Sequence, residues 1–443
     1  MNRRTTTSGT VTTWSRTASW TPWQMVRPET EEQLRDIVAD AAQNHRSVKP
    51  IGAAHSFSDI AATDGVQVDL GALHGLTAVD PDTRRVRVRA GTPLHALGPA
   101  LAAHGLALAN MGDIDQQTLG GALSTSTHGT GLGFTGYSAM VTALRLLTAD
   151  GNLRWVDAAH EPELFAAARV SLGALGVITE VELQTVPSFL LHAEERSVPI
   201  DRVVAEFVQR SRDNDHHEFY WFPGTDAALT KTNTRLPLAS GIDPLPRLRT
   251  HVMDELLANR AFDLSCRVGG RWPAAVPALS RLANLLADRR EYTDVSHRVF
   301  VANRTVPFWE TEYALPLERF EEAFEGLRRI HHNLAAAGRA VGFPFEVRTA
   351  SADDVWLSTA HGRDSVYFAI HQYRSVDPEE YFRAGEELFL SLGGRPHWGK
   401  MNRVDAAWAA EAYPRFADVV AQRDRVDPER VFANDYTRRV LGE

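Results

Sequence analysis

The sequence is poor in cysteine, in lysine and in long apolar runs. With one cysteine, Cys266, the chain offers no intrachain disulfide and no cysteine-based zinc site. No apolar run approaches the ~18 residues of a membrane-spanning helix, so we expect no transmembrane segment. Only three of the 47 basic residues are lysine, which indicates a bias toward arginine. A lysine kept against that bias is a candidate for a specific role; the three are Lys49, Lys231 and Lys400.

An excess of positive charge is also absent. The net charge of -9 argues against nucleic acid or an anionic membrane as a partner. The start of the chain, MNRRTTTSGTVTTWSRT, has an arginine pair but no apolar signal-peptide segment. We therefore interpret residues 1–14 as the disordered N-terminus of a cytoplasmic protein. The 443 residues are too many for one hydrophobic core and predict two domains.

The first part of the chain, up to Pro187, predicts a compact α+β unit rich in glycine and small residues. Thr30 and Gln33 form a capping box at the start of one helix, and a second helix is expected between Pro93 and Gly105. Strands are expected at 47–52, at 66–70, in RRVRVRAG, and on both sides of the turn at Asp150-Gly151.

The character of the sequence changes after Pro187. Aromatic-rich strands such as HEFYWFPG and VFVANRTVPFWETEYAL alternate with amphipathic helices at 316–337 and 378–392. A helical insertion is expected at about 245–290. This order of elements predicts an antiparallel sheet with helices on one face.

Two patterns suggest a dinucleotide-binding fold or a metal site, but the residues around them do not support either. GLGFTG, at 131–136, matches the dinucleotide fingerprint, but no strand precedes it and no helix begins inside it. The adjacent pairs His216-His217 and His331-His332 point in different directions on a strand or helix, so we expect surface histidines and no metal site.

Two small-residue stretches point to a bound nucleotide: IGAAHSFSD at 51–59 and TLGGALSTSTHGTG at 118–131. Each places backbone N–H groups without bulky side chains, and the second adds serine and threonine hydroxyls. Such loops suit a pyrophosphate and a ribityl chain. The alternative is that both are tight turns that pack strands closely.

Taken together, these stretches resemble the aldonolactone oxidases of the vanillyl-alcohol-oxidase-type flavoproteins. Further matching stretches run in order from about residue 20 to the end: AARVSLGALGVITEV, FEVR, GGRPHWGK and DPERVFANDYTRRVL. The resemblance implies an α+β flavoprotein with a PCMH-type FAD-binding domain at 15–187 and an antiparallel-sheet cap domain at 188–399. Residues 400–443 are then expected to return to the FAD-binding domain.

The resemblance also implies FAD as the cofactor, joined covalently through the flavin 8α-methyl group to His55. The alternative is a polar loop histidine with dissociable FAD. The implied cofactor-binding residues, besides His55, are Ile51, Gly52, Ala53, Ala54, Ser56, Gly112, Thr118, Gly121, Ala122, Ser124, Thr125, Ser126, His128, Gly129, Gly176, Val177, Ile178 and Lys400.

The second half of the expected site lies in the cap. Glu346 and Arg348 alternate on one strand face, where a buried carboxylate and guanidinium are costly unless paired or used. The pair is either a structural ion pair or, as the resemblance implies, it faces the flavin and grips the substrate.

Three further residues complete the predicted site. Lys400 follows the helix stop Gly393-Gly394, and the resemblance places it near flavin N1, where a cation stabilises the charge of reduction. His371 points either into the same cavity or into the core. Asp113 departs from the family pattern, which has a small or hydroxyl residue there; it is either a substrate contact or a turn residue. The preceding Gly112 leaves room for O2.

The implied reaction is oxidation of a sugar-derived 1,4-lactone of the gulono-, galactono- or arabinono-lactone type, by hydride transfer to flavin N5. In this reaction Arg348 polarises the substrate oxygen, Glu346 or a partner that it orients takes the hydroxyl proton, and the keto product tautomerises to an enediol. O2 or a cytochrome-like acceptor then reoxidises the flavin. Alternatives are an alditol or tailoring alcohol oxidase with the same site, and a non-catalytic flavin-binding protein. Intact Glu346, Arg348 and Lys400 argue against the last.

Overall fold

A computed structural model describes residues 9–246, 259–286, 289–302 and 306–443. The N-terminal part contains twelve short strands in this described portion. These are β1 Val11–Thr12, β2 Ser19–Trp20, β3 Gln24–Val26, β4 Val48–Ile51, β5 Val66–Asp69, β6 Leu76–Asp80, β7 Arg85–Arg89, β8 Leu106–Ala107, β9 Val141–Leu147, β10 Leu153–Asp157, β11 Val177–Gln184 and β12 Val186–Pro187. Its helices are Glu31–Gln43, Leu94–Ala102, Leu119–Ser124 and Pro162–Ala168.

These strands form two main sheets. A parallel sheet has the order β3-β5-β4, and an antiparallel sheet has the order β10-β9-β11-β7-β6. The expected strands at 47–52 and 66–70 are β4 and β5, and the hairpin around Asp150-Gly151 joins β9 to β10. The helix predicted from its capping box begins after Thr30, whose hydroxyl accepts a hydrogen bond from the Gln33 N–H.

The C-terminal part is built on an eight-stranded antiparallel sheet, here called the cap sheet. Its strands are β13 Leu190–Pro199, β14 His216–Trp221, β15 Ala227–Leu236, β16 Arg290–Val295, β17 Phe308–Pro316, β18 Phe345–Ala350, β19 Ser365–Tyr373 and β20 Arg395–Pro396. Their order is β16-β13-β15-β14-β18-β19-β17-β20. The helices here and beyond are Ile200–Asp213, Asn259–Arg271, Val276–Leu286, Ser296–Val299, Phe320–Ala336, Glu379–Ser391, Ala406–Ala412, Phe416–Val426 and Asp435–Leu441.

One face of the cap sheet is apolar. Phe219, Val347, Phe368 and Tyr313 are buried there in one core cluster with residues of the helices Ile200–Asp213, Phe320–Ala336 and Glu379–Ser391. Because side chains alternate along a strand, their neighbours in sequence project from the opposite face. The predicted antiparallel sheet with helices on one face is therefore present.

The chain end packs against the N-terminal sheets. The Val48 N–H donates to the Val431 carbonyl at 2.7 Å, and the Asn434 side chain donates to the carbonyls of Asp59, Ile60 and Ala62. Within the described ranges, no helix combines the length and apolar character that crossing a bilayer requires.

Two expectations are corrected. Residues 9–14, placed by the sequence in a disordered N-terminus, include strand β1 and the buried Thr13; residues 1–8 lie outside the described ranges. The expected surface histidines His216, His217 and His331 are buried, and only His332 is exposed. Hydrogen bonds make this burial tolerable: the ring Nδ1 atoms of His216 and His217 bond to Thr130 O and Thr232 Oγ1.

Candidate active site

The two small-residue loops of the sequence meet in one cleft of about 960 Å³, its open mouth included. Gly52 shows why small residues are needed, because a Cβ there would lie 2.2 Å from Thr118 Oγ1. Twelve predicted cofactor residues line this cleft: Ile51, Gly52, Ala53, Ala54, His55, Ser56, Thr118, Gly121, Ser124, Thr125, Gly176 and Ile178.

The lining fits a dinucleotide held by backbone and hydroxyl groups. Small side chains and hydroxyls dominate the cleft, and the Lys49 ammonium at its edge donates to the carbonyls of Leu172, Gly173 and Phe432. Gly176, at φ +147°, lies so close to the backbone of Leu147 that a Cβ on it would be 2.3 Å from the Leu147 carbonyl oxygen. Such loops bind a pyrophosphate without a cationic cluster.

Other predicted cofactor residues lie outside this cleft. Ala122 and Val177 are fully buried core residues, so their side chains are not part of the lining. Gly129 packs against Met111 O, the Gly112 N–H donates to Tyr137 Oη at 3.0 Å, and Ser126 is within 3.4 Å of Thr359 Oγ1. Sequence reasoning missed the lining residues Gln117, Gly120 and Gly173, although Gly120 belongs to the same motif as Gly121.

His55 is half-buried at the end of the first loop. Burial and the nearby charge of Lys400 lower the pKa of His55 to about 4. The imidazole is therefore neutral at physiological pH, with a free lone pair on one ring nitrogen.

The polar face of the cap sheet carries the second half of the site. Strand alternation places these side chains, among others, on the face opposite the apolar core: Glu218 and Tyr220 on β14, Glu310 and Glu312 on β17, Glu346 and Arg348 on β18, and His371 on β19. Apart from Tyr220, these side chains are buried.

Arg348 is the centre of one cluster on this face. Its guanidinium lies 3.0 Å from Asp113 Oδ1 and 3.2 Å from Glu218 Oε2, and it contacts Glu346. Burial alone lowers the pKa of Arg348, but the carboxylates of Asp113, Glu346 and Glu218 raise it well above its usual value. The Tyr220 hydroxyl donates to Glu346 Oε1 at 2.5 Å. The predicted Glu346–Arg348 pair is thus part of a larger network, which Asp113 joins.

Lys400 and His371 meet at a second carboxylate, Glu310. The Lys400 ammonium donates to Glu310 Oε2, and His371 Nε2 lies 3.5 Å from Glu310 Oε1. Burial raises the pKa of Glu310, but the charge of Lys400 and a hydrogen bond from His371 lower it to about 2. His371 Nδ1 contacts the Pro344 carbonyl at 2.9 Å, so Nδ1 carries a proton.

A similar arrangement occurs at Glu312. His128 Nδ1 contacts the Gly129 carbonyl at 2.8 Å, and His128 Nε2 lies 3.3 Å from Glu312 Oε1. Burial raises the pKa of Glu312, but the charge of His128 and its hydrogen bond bring it below its usual range. Two buried carboxylates of the cap sheet, Glu310 and Glu312, thus each contact a histidine ring.

His397 completes three potential metal ligands within 4.8 Å of one another, together with His128 and Glu312. The Gly399 N–H donates to His397 Nδ1 at 3.0 Å, so the neutral ring carries its proton on Nε2. A protonated nitrogen does not bind a cation, so this tautomer of His397 argues against a metal ion at the group.

Sequence reasoning missed Glu218, Tyr220, Glu310, Glu312 and His397. A signal was present for four of them, because HEFYW and FWETEYAL alternate polar and apolar residues in the same way as FEVR. His397 lies in the quoted stretch GGRPHWGK, but nothing in its local pattern indicates a buried neighbour.

The family models and the relatives show an FAD-dependent oxidoreductase, with the two-domain fold of the vanillyl-alcohol-oxidase type. Residues 22–157 match the model of an FAD binding domain. The fold is similar to that of cholesterol oxidase from B. sterolicum, with a TM-score of 0.83 at 16% identity, over 99% of this chain and 97% of that chain. At this identity the likeness shows the fold alone.

A family model described as D-arabinono-1,4-lactone oxidase matches residues 181–440. The chain is 43% identical to L-gulono-1,4-lactone dehydrogenase of Mycobacterium tuberculosis, over 95% of this chain and 96% of that protein. It is 32% identical to L-gulonolactone oxidase of Bos taurus, over 97% of each chain. The chain belongs to the D-arabinono-1,4-lactone oxidase family, and the predicted family, fold class and FAD cofactor are confirmed.

Proposed function

We propose that this protein oxidises a carbinol carbon of a sugar-derived 1,4-lactone. The observation that carries this proposal is the Arg348 cluster on the polar face of the cap sheet. The same face carries Glu310, the partner of Lys400, and the Lys400 turn packs on the His55 loop. The Phe57 N–H donates to the Gly399 carbonyl at 2.7 Å, which ties that turn to the loop. The names of the similar proteins, a gulonolactone dehydrogenase and a gulonolactone oxidase, support a lactone substrate.

The Arg348 cluster suits a ligand with several hydroxyl groups and a carbonyl. Its three carboxylates, on Asp113, Glu218 and Glu346, are acceptors, and its guanidinium is a donor. A sugar lactone offers O–H donors to the carboxylates and neutral oxygens to Arg348. The same complementarity extends to an alditol, which is the second candidate substrate class.

Glu346 is our candidate for the group that takes the hydroxyl proton during oxidation. It lies beside Arg348, which would hold the reacting oxygen, and it already accepts a hydrogen bond from Tyr220. A carboxylate in hydrogen-bond reach of the substrate hydroxyl is the geometry that general-base catalysis requires.

Bound FAD supplies the two-electron acceptor, which O2 or an electron acceptor such as a cytochrome regenerates. The loops at 51–56 and 118–125 would hold its pyrophosphate and ribityl chain, and His55 would bond to its 8α carbon. Lys400 would place a positive charge where reduction creates negative charge.

The test is anaerobic flavin bleaching with L-gulono-1,4-lactone, L-galactono-1,4-lactone, D-arabinono-1,4-lactone, xylitol and sorbitol. We expect at least one lactone to bleach the flavin absorption within seconds, and the product to absorb as an enediol. Bleaching by the alditols alone would assign the site to polyols. A flavin that no compound reduces, while dithionite reduces it, would make the protein a non-catalytic binder.

A further inference from the structure

The segment before β2 covers His55. The Trp14 indole stacks on the His55 imidazole, with ring centroids 5.4 Å apart and planes inclined by 16°. The backbone N–H of Trp14 also donates to the Ala54 carbonyl at 2.8 Å. Ala54 has a φ of +52°, a conformation that a non-glycine residue adopts only when its surroundings hold it. Trp14 therefore fixes both the ring of His55 and the backbone just before it.

The loop that carries Trp14 is held from two sides. The strand pair β1–β2 closes it, and the Thr13 N–H donates to the Ala18 carbonyl at 3.1 Å. From the cap sheet, the Arg374 guanidinium donates to the carbonyls of Ser15 at 2.7 Å and Arg16 at 2.5 Å. A loop anchored to both halves of the molecule is a firm support for an aromatic contact.

Trp14 is also packed on its edges. Its ring meets Phe57 at 6.4 Å and Phe308 at 5.7 Å, both at steep angles. Phe57 follows the His55 loop and Phe308 begins β17, the strand of Glu310 and Glu312. The indole is therefore unable to leave His55 without disturbing this aromatic group.

Covalent attachment to the flavin needs a neutral and oriented imidazole. The lowered pKa of His55 supports the first requirement. An imidazole on a loop of small residues has two rotatable side-chain bonds, and correct orientation of a reacting group contributes strongly to rate. The stacked indole restricts both rotations and so supports the second requirement.

We propose that Trp14 is a positioning residue for the covalent attachment of FAD to His55. The inference rests on the proposed covalent link. In that step a bond forms between a ring nitrogen of His55 and the 8α carbon, and a C–H bond of the 8-methyl group breaks. The proton leaves to solvent, the electron pair reduces the isoalloxazine ring, and O2 reoxidises it.

The experiment measures how fast flavin becomes resistant to trichloroacetic acid when FAD is added to protein produced with little riboflavin. The variants are Trp14→Ala and Trp14→Phe, with Trp23→Ala as the matched control. Trp23 lies just after β2, is half-exposed and contacts Arg46 instead of His55. Bound flavin is also measured by absorption before acid is added.

We expect Trp14→Ala to bind FAD but to attach it roughly 10–100-fold more slowly. Trp14→Phe keeps an aromatic ring and should retain most of the rate, and Trp23→Ala should match the wild type. Arg374→Met removes the contact that holds the Trp14 loop but leaves the Trp14–His55 contact itself in place, and it should slow attachment to a smaller extent. This second variant keeps the proposal testable if Trp14→Ala does not fold.

Attachment at the wild-type rate in both Trp14→Ala and Arg374→Met would overturn the proposal and leave the covalent link intact. A wild-type protein that releases its flavin in acid would overturn the link itself, and with it the role of Trp14. Neither result affects the lactone oxidation, which anaerobic bleaching tests separately.

Discussion

The two halves of the molecule bury different chemistry. Five histidines of the N-terminal part are exposed, whereas five in the cap sheet and its surroundings are buried. The exposed ones are His45, His74, His95, His104 and His160, and the buried ones are His216, His217, His331, His371 and His397. In the described residues, the N-terminal part lines the cleft mainly with backbone, small and hydroxyl groups, while the polar face of the cap sheet carries ionisable side chains. The first arrangement suits holding a cofactor, and the second suits moving protons.

Each arrangement has a physical reason. Backbone N–H groups reach a ligand only if no side chain stands between them, which requires glycine and alanine at close approaches such as Gly52. Buried carboxylates and imidazoles are costly unless each has a partner. In the cap, Glu310 has Lys400 and His371, and Glu312 has His128.

The largest expected effect comes from Arg348→Ala, which leaves three carboxylates in one buried cluster. Breaking a buried charge pair in this way costs about 3–5 kcal/mol, so we expect a large loss in kcat/KM together with a lower Tm. The control is Arg328→Ala, which removes a guanidinium from exposed pairs with Asp201 and Glu325. Normal turnover with a lowered Tm alone would make the Arg348 cluster purely structural.

Glu346→Gln keeps the shape of the side chain and its contact with Tyr220 but removes the charge. If Glu346 takes the hydroxyl proton, kcat should fall about 10²–10⁴-fold, with less effect on KM. Because the base acts only when ionised, the acidic limb of the kcat profile should disappear. A variant that keeps this limb would show that another group accepts the proton.

Lys400→Met removes the ammonium between Glu310 and the Phe57 ring. We expect flavin reduction to slow by roughly 10²–10³-fold, as is usual for one preorganised charge-stabilising group. Binding of sulfite to the flavin should weaken as well, which is a readout independent of turnover. Arg403→Met, at an exposed pair with Glu379, is the control. Unchanged stopped-flow traces would remove Lys400 from the flavin site.

Gly52→Ala tests the N-terminal half, because its Cβ would lie 2.2 Å from Thr118 Oγ1. Overpacking of this kind costs about 1–3 kcal/mol, so bound flavin per protein should fall. Adding Thr118→Ala removes Oγ1 and should restore part of the binding. Gly133→Ala, where a Cβ meets nothing within 4 Å, is the control. Full flavin content in Gly52→Ala would mean that the loops separate easily.

The smallest effect concerns pH and the buried histidines of the cap. Burial lowers the pKa of His331 to about 3. Between pH 6.5 and 3 the unfolded chain then binds a proton that the folded chain does not, so stability falls as the pH falls. On acidification, the free energy of unfolding should therefore fall less in His331→Phe than in the wild type. The difference is up to about 1.4 kcal/mol per pH unit. Urea unfolding at pH 7.5, 6 and 5 measures this, with the exposed His332→Phe as control. If the free energy of unfolding depends on pH equally in the wild type and in His331→Phe, the lowered pKa of His331 is contradicted.

Much of the fold was predictable because its signals are local. The N-cap at Thr30, the strands β4 and β5 and the hairpin at Asp150-Gly151 all follow from neighbouring residues. The scarcity of lysine was also informative, since Lys49 and Lys400 both have buried or half-buried partners. The surface placement expected for His216, His217 and His331 was wrong. Their hydrogen-bond partners are distant in sequence and come close only in the folded chain.

By itself, the sequence determined the family, the cofactor class and the two loops, since each depends on residue types at close spacing. Only the tertiary structure decided which charges meet. Arg348 contacts Asp113 and Glu218 across more than a hundred residues, and Lys400 finds Glu310 across ninety. Trp14, in a segment that the sequence predicts to be disordered, stacks on His55 because its loop is anchored by distant backbone and cap contacts. Such pairings depend on strand order and loop anchoring, which no local pattern encodes.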